Sequence, residues 1–215
     1  MIKEKDIERA IDKFKRWDLE KKWKQPDEVF INHLKEKVDD CLDVAKVLIE
    51  LMKNQNFTNR IIDKEKFNPT LWIVNSSYYS IFFQAQLLLA QDGKKLPKNT
   101  QDTHKTTLLA MLFYFMIKNS GLEGKKNLKW ENIEENRLSN ALIIFAEAQE
   151  ETDELLQWQR SKAAVEDFNA ELEKRNKFTY QMNFHAKESL ALTSYHRAVN
   201  FRTIITEYLL TKQNK

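Results

Sequence analysis

NPTLWIVNSSYYSIFFQAQLLLAQDGKKLP, residues 68–97, carries most of a run of 25 uncharged residues, Phe67 to Gln91, in a chain whose composition is 31% charged. Asn68 and Pro69 suit a helix start and Gly93 a helix end, which gives a rod of about 36 Å at ~1.5 Å rise per residue. Leu71, Val74, Tyr78, Ile81, Ala85 and Leu88 form an apolar seam, and Trp72, Tyr79, Phe82, Phe83 and Leu87 extend it onto adjoining faces. A helix apolar around so much of its circumference must be enclosed, either centrally in a bundle or at a subunit interface. Asn75, Ser76, Ser77, Ser80, Gln84, Gln86 and Gln91 would be costly in lipid, so the stretch reads as a buried helix and not as a membrane span. Ser76, Ser80 and Gln84 recur at every fourth position, a narrow polar strip that permits close helix approach without burying a charge.

Outward from this rod, the chain of 215 residues has only three Gly and three Pro, which favours long helices. Ile7, Ala10, Ile11, Phe14 and Trp17 mark an amphipathic helix over 3–24, ending before Gln25-Pro26. Leu34, Val38, Cys41, Leu42, Ala45, Leu48 and Met52 mark a second over 27–53, followed by the polar loop KNQNFTNR. Further helices are expected from Asp102 or Thr103 to Lys118, over 131–156, and over 183–212, with a less regular segment after Gln157. The lone Cys41 is expected to be a buried thiol and suits a reducing compartment. The N-terminus, charged from its third residue, shows no secretory signal, so the expected location is cytoplasmic.

Net charge is +3, which excludes a strongly basic nucleic-acid binder on composition alone. The distribution is uneven: Lys174 to Lys215 holds eight Lys or Arg against two acids, while acids concentrate over 131–154. The last helix could meet phosphate, or could be balanced by the acidic helix.

No Gly-rich phosphate loop, G-x-S-x-G, H-E-x-x-H or Glu-x-x-His pair is present, and one cysteine cannot build a Cys-based zinc site. No metal and no cofactor is expected.

The stretch NSSYYSIFFQAQLLLAQDGKKLPKNTQDTHKTTLLAMLFYFM resembles the small-Tyr-Tyr-small helix, polar turn and Thr-His-Lys helix start of the HEPN family (higher eukaryotes and prokaryotes nucleotide-binding domain). QWQRSKAAVEDF is similar to that family's Arg, Ala, Asp-aromatic stretch, and SLALTSYHRAVNFRTIITEYLL to its closing helix. The resemblance covers roughly residues 68–212. It implies an all-α, antiparallel four-to-five-helix bundle over 67–215, with residues 1–66 as an N-terminal two-helix extension packed on it. It also implies a dimer, a toxin-antitoxin or defence context, RNA or nucleotide binding, and in some members a minimal nucleotidyltransferase as partner.

Active members are metal-independent ribonucleases with an Arg followed, one to two helical turns later, by His. The imidazole moves a proton at the 2′-hydroxyl and the guanidinium stabilises phosphate charge. This chain departs there: Arg175 precedes His185 by ten residues, and His196 sits directly before Arg197. A catalytic site would have to be assembled in space from His104, Lys105, Arg160 and Asp167. Alternatively, His104 is a polar residue in a first helical turn, and Arg160 pairs with Glu166 or Asp167. Candidate contacts to nucleic acid or nucleotide are Lys105, Lys162, Arg197 and Arg202; Tyr78, Tyr79, Phe82 and Phe83 are expected in the core or an interface. His185 and His196 are expected at the surface or rim. The favoured expectation is a binding module without its own catalytic pair; the alternatives are a ribonuclease with a rearranged site across a dimer and a nucleotidyltransferase partner subunit.

Overall fold

A computed structural model describes residues 2–61, 69–125, 127–133, 138–172 and 186–213, with side chains described except at 55, 61, 156–172, 186–187 and 213. The regular elements among the described residues are helices, with turns and loops between them: α1 (Glu4–Leu19), α2 (Glu28–Lys53), α3 (Gln55–Ile61), α4 (Thr70–Gln91), α5 (Thr103–Met111), α6 (Ser139–Leu172) and α7 (Ala186–Gln213). No strand occurs among them; an isolated bridge joins Lys24 and Lys95.

The uncharged rod is the axis of this bundle. α4 is flanked by α2, α5, α6 and α7. It buries fourteen residues around its circumference, including Ile73, Val74, Tyr78, Ile81, Phe82, Ala85 and Leu88. The polar strip allows the expected approach to α2, because Ser80 Oγ donates to the Val38 carbonyl at 3.3 Å. The rod ends at Gly93, where φ is +72°. There the Gly93 amide donates to Ala90 and the Lys94 amide to Leu89, both at 2.9 Å, the paired bonds that close a helix on a left-handed residue. The start of α4 differs by one residue from expectation: Pro69, expected as the first helical residue, takes the cap position without a side-chain cap bond and the helix begins at Thr70, while Asn68, the expected cap, lies outside the described residues.

Three further boundaries differ from expectation. α1 ends at Leu19 because Lys21 takes φ +50°, and Lys22 donates to the Trp17 carbonyl at 3.0 Å. This is the same closing motif with lysine where glycine usually sits, which composition does not flag. α3 replaces part of the expected loop: Asn54 Oδ1 accepts from the Phe57 amide at 3.1 Å, and Thr58, fully buried, donates to the Leu51 and Asn54 carbonyls. α6 starts at Ser139 and continues unbroken through 157–172, where a less regular segment, a loop followed by a short helix, was expected, since that stretch lacks Gly and Pro and is rich in helix formers. Cys41 is half-buried, not fully enclosed.

α5 continues as a wider π-helical stretch, Leu112–Lys118, buried from Leu112 to Ile117. Its Tyr114 reaches α1 and the turn after it: Trp23 Nε1 donates to the Tyr114 hydroxyl at 2.7 Å, and that hydroxyl donates to Asp18. Lys118 closes the same carboxylate at 2.7 Å. Burial and the Asp18 bond push the Tyr114 phenol well above its ordinary pKa, against the Trp23 donor, so it stays protonated and keeps donating. Tyr114→Phe leaves the Trp23 donor and a carboxylate oxygen without their partner. The expected loss is about 1–3 kcal/mol in urea denaturation.

Candidate functional site

α5 begins abruptly. Asp102 sits in the left-handed region at φ +46°, and its carboxylate accepts the Lys105 amide at 3.1 Å. His104 therefore lies in the first turn, turned toward α4. Its Nδ1 is 2.7 Å from the Tyr78 hydroxyl. The imidazole stacks on Phe82 at 4.1 Å between centroids and 24° between planes, and on Tyr78 at 5.4 Å and 21°. Tyr79 meets it edge-on at 5.7 Å. The sequence-derived groups thus converge: one catalytic candidate, His104, is in ring contact with three of the four core or interface candidates.

Electrostatics set its protonation. Burial lowers the pKa of His104, opposed by the charges of Asp102 and Asp153. Burial raises that of Tyr78, helped by Asp153, Tyr79 and Asp102. At neutral pH the pair is a neutral imidazole bonded to a neutral phenol. The second ring nitrogen has no hydrogen-bond partner among the described residues; in the neutral ring it is the N–H donor where Nδ1 accepts from the Tyr78 hydroxyl, and the acceptor where Nδ1 donates.

Beside it lies a cleft of about 540 Å³ between α1, α5 and α6. Lys3, Lys5 and Arg9 line its α1 side; Glu150, Asp153 and Glu154 line its α6 side. Gln149 Oε1 is buried there without a hydrogen-bond partner among the described residues. Lys105 is committed to the buried Asp6 at 3.1 Å. Burial works against ionisation of Asp6, but the Lys105 hydrogen bond, the Lys3 amide and the charges of Lys105 and Lys5 outweigh it, and its pKa is lowered. Lys13 donates to Thr106 Oγ1 at 2.7 Å, and burial lowers its pKa against the pull of Asp102.

The remaining candidates do not join this cluster. Arg197 bonds Glu151 at 3.1 Å and Glu147 at 3.5 Å on α6, and Ser194 shares Glu151 at 2.9 Å. Arg202 faces α2 and bonds Asp39 at 2.6 Å. Phe83 is the exception: its ring packs on Phe82 at 5.5 Å and on Tyr79 at 5.9 Å between centroids, and it also meets Leu34, Leu87 and Ala90. The side chains of Arg160, Lys162 and Asp167 lie outside the described residues, as does His185; His196 is exposed. Asp102 and Asp153 are the electrostatic neighbours sequence reasoning passed over. Asp102 was noted only as a possible helix start, whereas Asp153 acts on His104 only through the rotation of α6, which no local pattern encodes.

Among the described residues no group of three His, Cys, Asp or Glu side chains is arranged to hold a metal, and no helix is long and apolar enough to cross a membrane. Comparison with protein-family models, with curated proteins and with solved structures gives no match.

Proposed function

We propose that the chain is a HEPN-like binding module of a toxin-antitoxin or defence system that works through protein contacts, as a homodimer, without cleaving RNA. The observation that carries this reading is the one face of α4 left uncovered. Trp72 is 63% and Tyr79 41% exposed, with Asn75, Ser76, Phe83 and Gln86 half-buried on the same side. A two-fold interface sets a patch against itself, so a strip without charge is the kind that escapes like-charge repulsion. Exposed Trp and Tyr are the residues that dominate such contacts.

The state of His104 supports the non-catalytic half. Phosphoryl transfer without metal needs a cation at the developing charge. The charged groups acting on His104 are carboxylates, and the nearby Lys105 and Lys13 are engaged with Asp6 and Thr106. The arginines of α7 are likewise engaged by acids of α2 and α6, which favours a protein partner over a polyanion.

Light scattering is expected to report a dimer that Trp72→Glu converts to a monomer, with purified protein leaving RNA intact. A strict monomer at high concentration, or RNA cleavage abolished by His104→Ala, overturns the reading.

A further inference from the structure

The cleft of about 540 Å³ beside the His104 cluster is a trough. α1 and α6 each pack on α5, and the space between them is floored by Leu108, Leu109, Leu112 and Ala146, all buried. Its two walls carry opposite charge at the same spacing. Lys5 and Arg9 stand one helical turn apart on α1, Glu150 and Glu154 one turn apart on α6, with Lys3 and Asp153 beside them. Lys3, Lys5, Arg9, Asp153 and Glu154 are exposed, and none of them forms an ion pair with a described residue. The Lys105–Asp6 pair cancels itself, which leaves three cations and four carboxylates, Asp102 included, in the lining. On the acidic side the Gln149 side-chain oxygen is buried and accepts no hydrogen bond from a described residue. A buried acceptor left unpaired is costly and asks for an explanation.

We propose that this cleft binds a short zwitterionic peptide of dipeptide size with an aliphatic side chain, its carboxylate toward α1 and its ammonium toward α6. Facing walls of opposite sign set up a field across the cleft. An anion drawn to α1 is repelled by the carboxylates of α6, and a cation drawn to α6 is repelled by α1. A ligand carrying both charges is favoured by both walls. Lys5 and Arg9 supply donors for a carboxylate, Arg9 with two N–H groups at once. Asp153, Glu154 and the Gln149 oxygen supply three acceptor groups, matching the three N–H donors of an ammonium. The exposed charges of the two walls stand beyond ion-pair reach of one another, so a ligand that meets both must hold its own charges well apart. In a free α-amino acid the two groups share one carbon, whereas the ends of an extended dipeptide are about 7 Å apart. The leucine floor accepts the aliphatic side chain, and the volume falls within the ~300–1,000 Å³ span of ordinary ligand pockets. No residue of α4 lines the cleft, so the site stands whether or not the chain dimerises through that helix.

Calorimetric titration of the full chain with alanyl-leucine, in parallel with N-acetyl-alanyl-leucine, alanyl-leucine amide and free leucine, tests this. Saturable binding of alanyl-leucine is expected, at least about tenfold tighter than that of any of the three controls. The double variants Lys5→Gln/Arg9→Gln and Asp153→Asn/Glu154→Gln, all at exposed positions, should each weaken it about tenfold without lowering Tm. Gln149→Leu should weaken it several-fold without lowering Tm, because the acceptor it removes has no partner in the free protein. Alanyl-leucine amide should bind the Lys5→Gln/Arg9→Gln protein as it binds the parent, since it has no carboxylate to lose. Absence of saturation at millimolar alanyl-leucine, a control binding as tightly as the free dipeptide, or unchanged affinity in either double variant each overturns the proposal. If Lys5→Gln/Arg9→Gln weakens the amide as strongly as the free dipeptide, α1 does not hold the carboxylate, and the proposal is overturned as well.

Discussion

Phe14→Ala is expected to destabilise the protein by about 3–5 kcal/mol, the range for deleting a fully buried Phe whose surroundings relax only in part. Phe14 has no solvent exposure and lies at the centre of an aromatic cluster drawn from three parts of the chain. Its ring is 5.4 Å from Trp17, 5.7 Å from Trp23, 5.9 Å from Phe113 and 5.8 Å from Tyr114. Lys13, Lys94 and Lys118 lie over rings of the same cluster at 5.3, 4.4 and 5.4 Å. Removing the central ring opens a cavity that α1, the turn carrying Trp23 and the π-helical stretch would all have to fill. At a few degrees per kcal/mol for a chain of this size, Tm should fall by about 6–20 °C.

The shape of that transition matters as much as its midpoint. Ile7, Ala10 and Phe14 of α1, and Val38 and Leu42 of α2, belong to the same buried cluster as Tyr78, Ile81 and Leu88 of α4. A single cooperative shift by circular dichroism and by tryptophan fluorescence is therefore expected. An early, separate loss of tryptophan signal would instead give residues 1–66 the standing of an appended unit that opens by itself.

What the sequence revealed and what it hid divide along physical lines. α4 was readable because three independent signals agreed: an apolar circumference, no charge, and Pro69 and Gly93 at its ends. The start of α5 was readable to within a residue, at Asp102 or Thr103, because helix starts are signalled locally by side chains that can cap. α1 was overextended because its stop depends on Lys21 accepting a left-handed backbone, a choice made by the Trp17 carbonyl and the packing beyond it. In the site, His104 could be singled out by residue type, but its partners could not. Tyr78 and Phe82 lie one helical turn apart on α4, and only the crossing of α4 with α5 sets both against the imidazole.

His104→Ala is expected to cost about 2–4 kcal/mol, the second largest effect, since it removes the ring stacked on Phe82 and strips the buried Tyr78 hydroxyl of its partner. Tyr78→Phe should cost less, about 1 kcal/mol, because the imidazole is half-buried and water can reach its nitrogen. The two changes should be non-additive in a double-mutant cycle, as expected for groups in contact. pH separates a packing role from a reactive one. His104 has a folded pKa below its ordinary value, so the unfolded chain takes up the proton more readily. This contribution to stability is fully present above about pH 6.5 and is lost as pH falls from there toward the folded pKa. His104→Phe keeps a ring against Phe82 but cannot titrate. Urea denaturation from pH 8 to pH 5 should therefore show a shallower acid-side fall in stability for this variant than for the parent. Identical slopes would mean that the imidazole is not held neutral. The carboxylates of Asp102 and Asp153 would then be partners of an imidazolium, and His104 would regain the charge that acid-base chemistry at this position requires.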